Sequence, residues 1–176
     1  MTKEQTYDFL DGNGPVPSHI HTKGGGWVAD TANVHNSAYI GPDALVYGNA
    51  WVYGDALVYG NAWVHDNAWV SGDARVHGNA WVSGDARVSG DAWVLGDARV
   101  SGDAQVNRGM YAYTPISITR SDGYTFTLQS DGSIVAGCRD FTPDEAKAHW
   151  GNPEHHKHRE SMAIVTALNA IAAERQ

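Results

Sequence analysis

Ala50-Trp-Val-Tyr-Gly-Asp55, Ala56-Leu-Val-Tyr-Gly-Asn61, Ala62-Trp-Val-His-Asp-Asn67 and Ala68-Trp-Val-Ser-Gly-Asp73 are four consecutive statements of one six-residue phrase. The phrase extends in both directions, from Gly26 to Gly109. Val recurs every six residues from Val28 to Val106, with Ile40 in the one gap, and Ala stands two residues before each from Ala32 to Ala104. In Ala-x-Val the first and third side chains share one face of an extended strand, and the middle one points the other way. The β-branched Val suits a buried pleated surface, and the Ala must be small beside a corner. The Gly two residues after Val supplies a positive φ without a Cβ penalty. The Asp or Asn after it can bond its own backbone in a turn. Strand and corner therefore alternate. Three sides close a triangular coil of eighteen residues, and coils stacked about 4.8 Å apart pair each side with the next.

These Val and Ala ladders and Gly-Asp/Asn corners resemble the hexapeptide-repeat, left-handed parallel β-helix superfamily over roughly half the chain. The left-handed sense is what the resemblance implies; ordinary crossovers are right-handed. The superfamily includes acyltransferases, carbonic anhydrases and proteins without chemistry, so it implies a fold and no single activity. Pro42 departs from the pattern because it stands at a Gly position and cannot take positive φ, so the corner at Gly41-Pro42-Asp43 must turn differently.

The expected organisation is an extended N-terminal cap over 1–25, the β-helix over 26–109 and a C-terminal module over 110–176. In that module Ile116–Thr119, Tyr124–Leu128 and Ser133–Ala136 alternate or run apolar around two Ser-Asp-Gly turn signals, which reads as a three-stranded meander. Cys138 closes it as an expected small buried residue. Thr142-Pro-Asp-Glu145 is a capping box for a short helix to about Trp150, and Pro153 can open a second. Met162, Val165, Leu168 and Ile171 keep helical spacing on one face. The fold class is thus mainly β, with a βββαα cap.

A formal charge of −8 excludes a broad nucleic-acid footprint. The single cysteine excludes an internal disulfide and fits a reducing compartment. Met1 to Gly14 has no apolar signal core and no run is long enough to span a membrane, so a cytoplasmic setting is expected. No cofactor and no metal are expected. His19 with His21 supplies two ligands and not a site, and His155, His156 and His158 read as a solvated helix face. The carboxylate column Asp55, Asp73, Asp91 reads as turn capping before calcium binding.

Outward positions sort by the eighteen-residue spacing into three faces. The first carries Trp27, Leu45, Trp63, Trp81 and Arg99, with Tyr47 and His65 beside it; the second carries Trp51, Trp69, Arg87 and Gln105, with Tyr53; the third carries Tyr39, Leu57, Arg75 and Trp93, with Tyr59 and His77. The first column holds more apolar area than a monomer usually leaves wet, which points to burial against another chain there. The superfamily resemblance implies three parallel helices about a three-fold axis with clefts between them. An Arg among Trp and Tyr can clamp an anion while the rings stack a flat group; alternatively it lies over the neighbouring Trp.

The resulting candidate ligand set is Tyr53, Trp63, His65, Trp69, Arg75, His77, Trp81, Arg87 and Arg99. The expected function is a homotrimer that binds a small anionic nucleotide-like molecule without catalysis. Residues 14–28, Gly-Pro-Val-Pro-Ser-His-Ile-His-Thr-Lys-Gly-Gly-Gly-Trp-Val, look like the opening of uncharacterised phage and prophage hexapeptide-repeat proteins. That likeness implies sequestration of a nucleotide signal in the cytoplasm of a host. The alternatives are a coenzyme A-dependent acyltransferase with His65 as base, and a structural or partner-binding scaffold. No projecting loop interrupts the rungs, and His35, His65 and His77 fall on different faces, which tells against superfamily-type catalysis.

Overall fold

A computed structural model describes residues 5–174. The first four residues of the expected N-terminal cap and the last two of the C-terminal module lie outside the described residues. The repeat forms a three-sided parallel β-solenoid whose strands pair eighteen residues apart: Trp27 with Leu45, Trp63 and Trp81 in turn, Trp51 with Trp69, and Arg75 with Trp93. Its three sheets are the three faces read from the spacing. The Val ladder and Ile40, with the Ala from Ala38 to Ala98, are fully buried in one continuous column, except Val34, which is half-buried near its open end. After the three-residue first rung, Trp27–Ala29, each rung is only two residues long, so the fold draws its stability from repetition of identical contacts between neighbouring coils.

The corners are four-residue turns whose first central residue takes positive φ, as at Gly84 (φ 67°), with Ala86 N–H donating to Ser83 O at 3.4 Å. At Pro42 the turn keeps its place in the repeat, but its first central residue does not take positive φ. Gly41 O accepts from Ala44 N–H at 3.0 Å, and Pro42 occupies a central position compatible with its fixed φ. Corner side chains bond along the stack: Asn67 Nδ2 donates to Asp85 Oδ1 at 3.1 Å, and Asn79 Nδ2 to Asp97 Oδ1 at 2.9 Å. At these corners the side chains bind coil to coil, a different use from the expected capping of each turn.

The last rung of the third face is Met110–Tyr111, paired with Trp93–Val94. Tyr111 takes the place of a Val in the core at 1% exposure. The strand edge beyond Gln105–Val106 is closed by side chains that imitate a further strand. Thr127 Oγ1 accepts from Gln105 N–H at 3.2 Å, Gln129 Oε1 accepts from Asn107 N–H at 3.2 Å, and Gln129 Nε2 donates to Gln105 O at 2.8 Å. An open parallel edge would otherwise template aggregation.

The C-terminal sheet has four antiparallel strands, Ser117–Thr119, Thr125–Leu128, Ile134–Ala136 and Arg139–Phe141, one more than the meander expected. The added strand is polar on its outer positions, so it carries no apolar run. Helix α1 (Pro143–Trp150) begins with the expected capping box, in which Thr142 and Glu145 bond each other's backbone. Helix α2 (His158–Glu174) starts five residues after Pro153, because residues 152–157 form turns that end at Lys157 with φ 59°. Phe126, Trp150, Val165 and Leu168 are the centre of this second core. No helix among the described residues is long and apolar enough to cross a membrane.

Candidate functional site

The N-terminal arm changes which face is available. Thr6–Tyr7 pairs with Val16–Ile20, which pairs antiparallel with Trp27–Ala29, so the arm extends the first sheet. Its side chains then fold over the first coils. Tyr7 stacks on Trp27 at 4.5 Å, and Phe9, 1% exposed, stacks on Tyr47 at 4.9 Å. Leu45 and Tyr47 are buried beneath them. The apolar column expected to be covered by another chain is therefore covered in large part by this one. The exposed tryptophans are Trp51 and Trp69 on the second face, at 37% and 43%.

The first face also fixes His65. Its ring lies flat on Tyr47 (4.9 Å, 8° between planes) and edge-on to Trp81 at 6.0 Å. Its Nδ1 faces Asp66 Oδ1 at 3.2 Å, while Nε2 is buried with no hydrogen-bond partner. Asp66 stands where other corners have Gly, at φ 60°, and its carboxylate accepts from Gly84 N–H at 3.0 Å. Burial pulls the Asp66 carboxyl upward, and the Gly84 and His65 hydrogen bonds outweigh it, leaving it below the ordinary range. Burial, with the Asp11 and Asp66 charges, pushes the Tyr47 phenol up to about 12. A base needs an accessible nitrogen within reach of the proton it takes; in His65, Nε2 is buried and Nδ1 is turned to Asp66.

The third face repeats the motif. His77 lies on Tyr59 at 4.8 Å, and burial with the nearby Arg75 charge holds its imidazole below the usual value. The three repeat arginines all lie over tryptophans of the adjacent coil, with Cζ 4.4 Å from the Trp93 ring for Arg75, 4.7 Å from Trp81 for Arg99 and 5.7 Å from Trp69 for Arg87. Trp81 is thus enclosed by Trp63 (4.9 Å) on one side and Arg99 on the other. The candidate set is distributed over three faces: Trp63, His65, Trp81 and Arg99 on the first, Tyr53, Trp69 and Arg87 on the second, Arg75 and His77 on the third.

Two of the set meet in a cavity. A groove of about 360 Å³ opens between the second face and the C-terminal sheet, walled by Trp69, Ser71, Arg87, Ser89, Gln105 and Asn107 on one side and by Val135 and residues 137–140 on the other. Sequence reading missed the second wall. Arg139 sits on the unforeseen fourth strand, and Cys138, expected to be buried, is exposed in the groove. Asp140 also lines it, but its carboxylate is held by Arg108 and by Asn107 Nδ2 (2.8 Å). Arg108 in turn faces Asp131 at 3.6 Å.

The remaining histidines part company. His19 pairs with Asp30 at 2.7 Å, whereas His21 is buried against Lys23 O at 3.1 Å. His155 meets the His149 ring at 5.0 Å, His156 faces Asp122 at 3.8 Å, and His158 bonds Trp150 O at 2.6 Å. Among the described residues no group of three His, Cys, Asp or Glu side chains is placed to hold a metal ion.

Residues 50–66, 68–84 and 80–96 match the family described as the YdcK beta solenoid repeat. The match falls within the solenoid coils and accounts for their repeat; it does not extend to the arm or the C-terminal module. Comparison with the curated proteins and with the solved structures gave no match.

Proposed function

We propose that this chain is a non-catalytic binding protein that assembles as a homotrimer and holds a small, flat, anionic, nucleotide-like molecule. The observation that carries this reading is the groove, where Trp69 and Arg87 of the solenoid face Arg139 of the C-terminal sheet. Concave sites with a few convergent polar groups are where small molecules bind. Its lining arginines answer the objection that an overall charge of −8 repels anions. The trimer contact is assigned to the second face. Trp51 and Trp69 stack at 5.4 Å with Tyr53 beside them and stay exposed, next to the groove. Packing three second faces about one axis would cover these rings and turn each groove into an intersubunit cleft.

The likeness of residues 14–28 to phage-borne proteins gives this binding a setting: sequestration of a nucleotide signal in a host cytoplasm. The buried Nε2 of His65 tells against the acyltransferase reading. A scaffold role would need no groove. Calorimetry of the whole protein against cyclic nucleotides and ADP-ribose derivatives tests the binding, and light scattering tests the assembly. Saturable heat from a particle of three copies is expected. No heat from any of these compounds would end the binding reading, and a monomer would end the shared cleft.

A further inference from the structure

We propose that Arg87 and Arg139 together form the seat of a phosphoryl group in the groove, a deepening that rests on the groove being the ligand site. The chain has 20 acidic and 12 basic residues, so a free guanidinium has ample choice of partners. Arg120 shows the usual outcome: it is forked on Asp122 through two hydrogen bonds of 2.8 Å. Arg87 and Arg139 have no carboxylate partner among the described residues.

Both are braced instead by rings. Arg87 Cζ lies 5.7 Å from the Trp69 centroid and Arg139 Cζ 5.8 Å from that of Phe141. Bracing uses the flat face of a guanidinium and leaves its in-plane N–H edge to donate. It also limits the side-chain freedom that would be lost on binding. The two arginines come from separate elements, a solenoid strand and the edge strand of the C-terminal sheet, yet line one groove. Because both line the same groove, an anion held there is attracted by both charges. The third charge on the wall, Asp140, is engaged by Arg108.

Ser71 and Ser89 add hydroxyls to the wall, and neither hydroxyl has a protein partner among the described residues. Two guanidiniums with neutral donors suit an ion carrying nearly two charges and three acceptor oxygens, which is a phosphoryl group more than a carboxylate.

The test uses the full chain and three probes, adenosine 5′-monophosphate, adenosine and inorganic phosphate, by calorimetry. The monophosphate is expected to bind, with Arg87→Gln and Arg139→Gln each weakening it roughly tenfold to hundredfold and leaving adenosine unchanged. Arg159→Gln, exposed on helix α2 and outside the groove lining, is expected to change nothing. If either Gln variant melts early, Arg→Lys at the same position keeps the charge and loses the fork, and a loss of affinity is still expected. Equal affinity for monophosphate and adenosine, unmoved by the Gln or Lys variants at Arg87 and Arg139, overturns the phosphoryl seat and leaves the groove reading standing. Binding of none of the three probes, with the nucleotide panel also silent, overturns both.

Discussion

Replacing Gln129 by Leu removes the side chain that finishes the solenoid. Gln129 is 2% exposed, and its amide acts as a surrogate peptide group. It accepts from Asn107 N–H (3.2 Å) and from the Tyr111 hydroxyl (2.8 Å), and donates to Gln105 O (2.8 Å). Leu fills a similar volume, so the loss is polar and not a cavity. It strands a backbone N–H, a backbone C=O and a hydroxyl at a half-buried edge. Each buried group left unsatisfied costs about 1–3 kcal/mol. Partial access of water at Gln105 and Asn107 puts the total at the lower end, about 2–4 kcal/mol. In a chain of this size that is a fall of roughly 5–15 °C in melting temperature. Urea unfolding gives the free energy, and hydrogen exchange at Asn107 N–H reports the site itself. Because Gln105 and Asn107 line the groove, ligand affinity should fall with the same substitution. A change under about 0.5 kcal/mol, with Asn107 still protected, would refute the strand-mimic reasoning.

Gly72→Ala and Gly102→Ala separate two costs of the corner. At Gly102 (φ 60°) an added Cβ meets nothing within 4 Å, so only the left-handed backbone is penalised, by about 1–2 kcal/mol. At Gly72 (φ 70°) the same Cβ stands 3.0 Å from Gly90 O, so backbone must also shift, and the loss on denaturation should exceed that at Gly102 by about 1 kcal/mol or more. Asp122 supplies an acid-dependent contribution: the hydrogen bonds it accepts from Arg120 outweigh the upward pull of burial and lower its carboxyl to about 2 from 3.8. Between those two values the unfolded chain binds more protons than the folded one, so stability contributed above pH 3.8 is lost as pH falls towards 2. Melting curves of Asp122→Asn across that window should show a shallower acid slope than the parent.

The period was enough to place every rung up to Gln105–Val106 on its face, because a six-residue phrase with Val or Ile inward leaves only one register; the final rung, Met110–Tyr111, lies beyond the repeat and had no such signal. The same regularity hid what covers the faces. Tyr7 and Phe9 alternate about Asp8, a two-residue strand pattern that could have signalled a ring-bearing arm, but nothing in it says which column they cover. The fourth strand, Arg139-Asp-Phe141, has no apolar alternation to betray it, so the sequence pattern makes Cys138 the buried end of a sheet, whereas it lies on an exposed turn. Arg87 and Trp69 were legible as neighbours from their spacing. Arg139, the third member of the groove, was not, because its approach depends on how Thr127 and Gln129 dock the sheet onto the last rung, and that contact has no period.

The claim that ligand occupies the groove is tested most directly at Cys138, the one thiol in the chain and exposed on the groove wall. The rate at which a chromogenic disulfide reagent labels the native protein should fall as adenosine 5′-monophosphate or a member of the nucleotide panel is added. The dose needed should rise in Arg87→Gln. A labelling rate that stays constant at saturating concentrations of every one of these compounds would contradict the account.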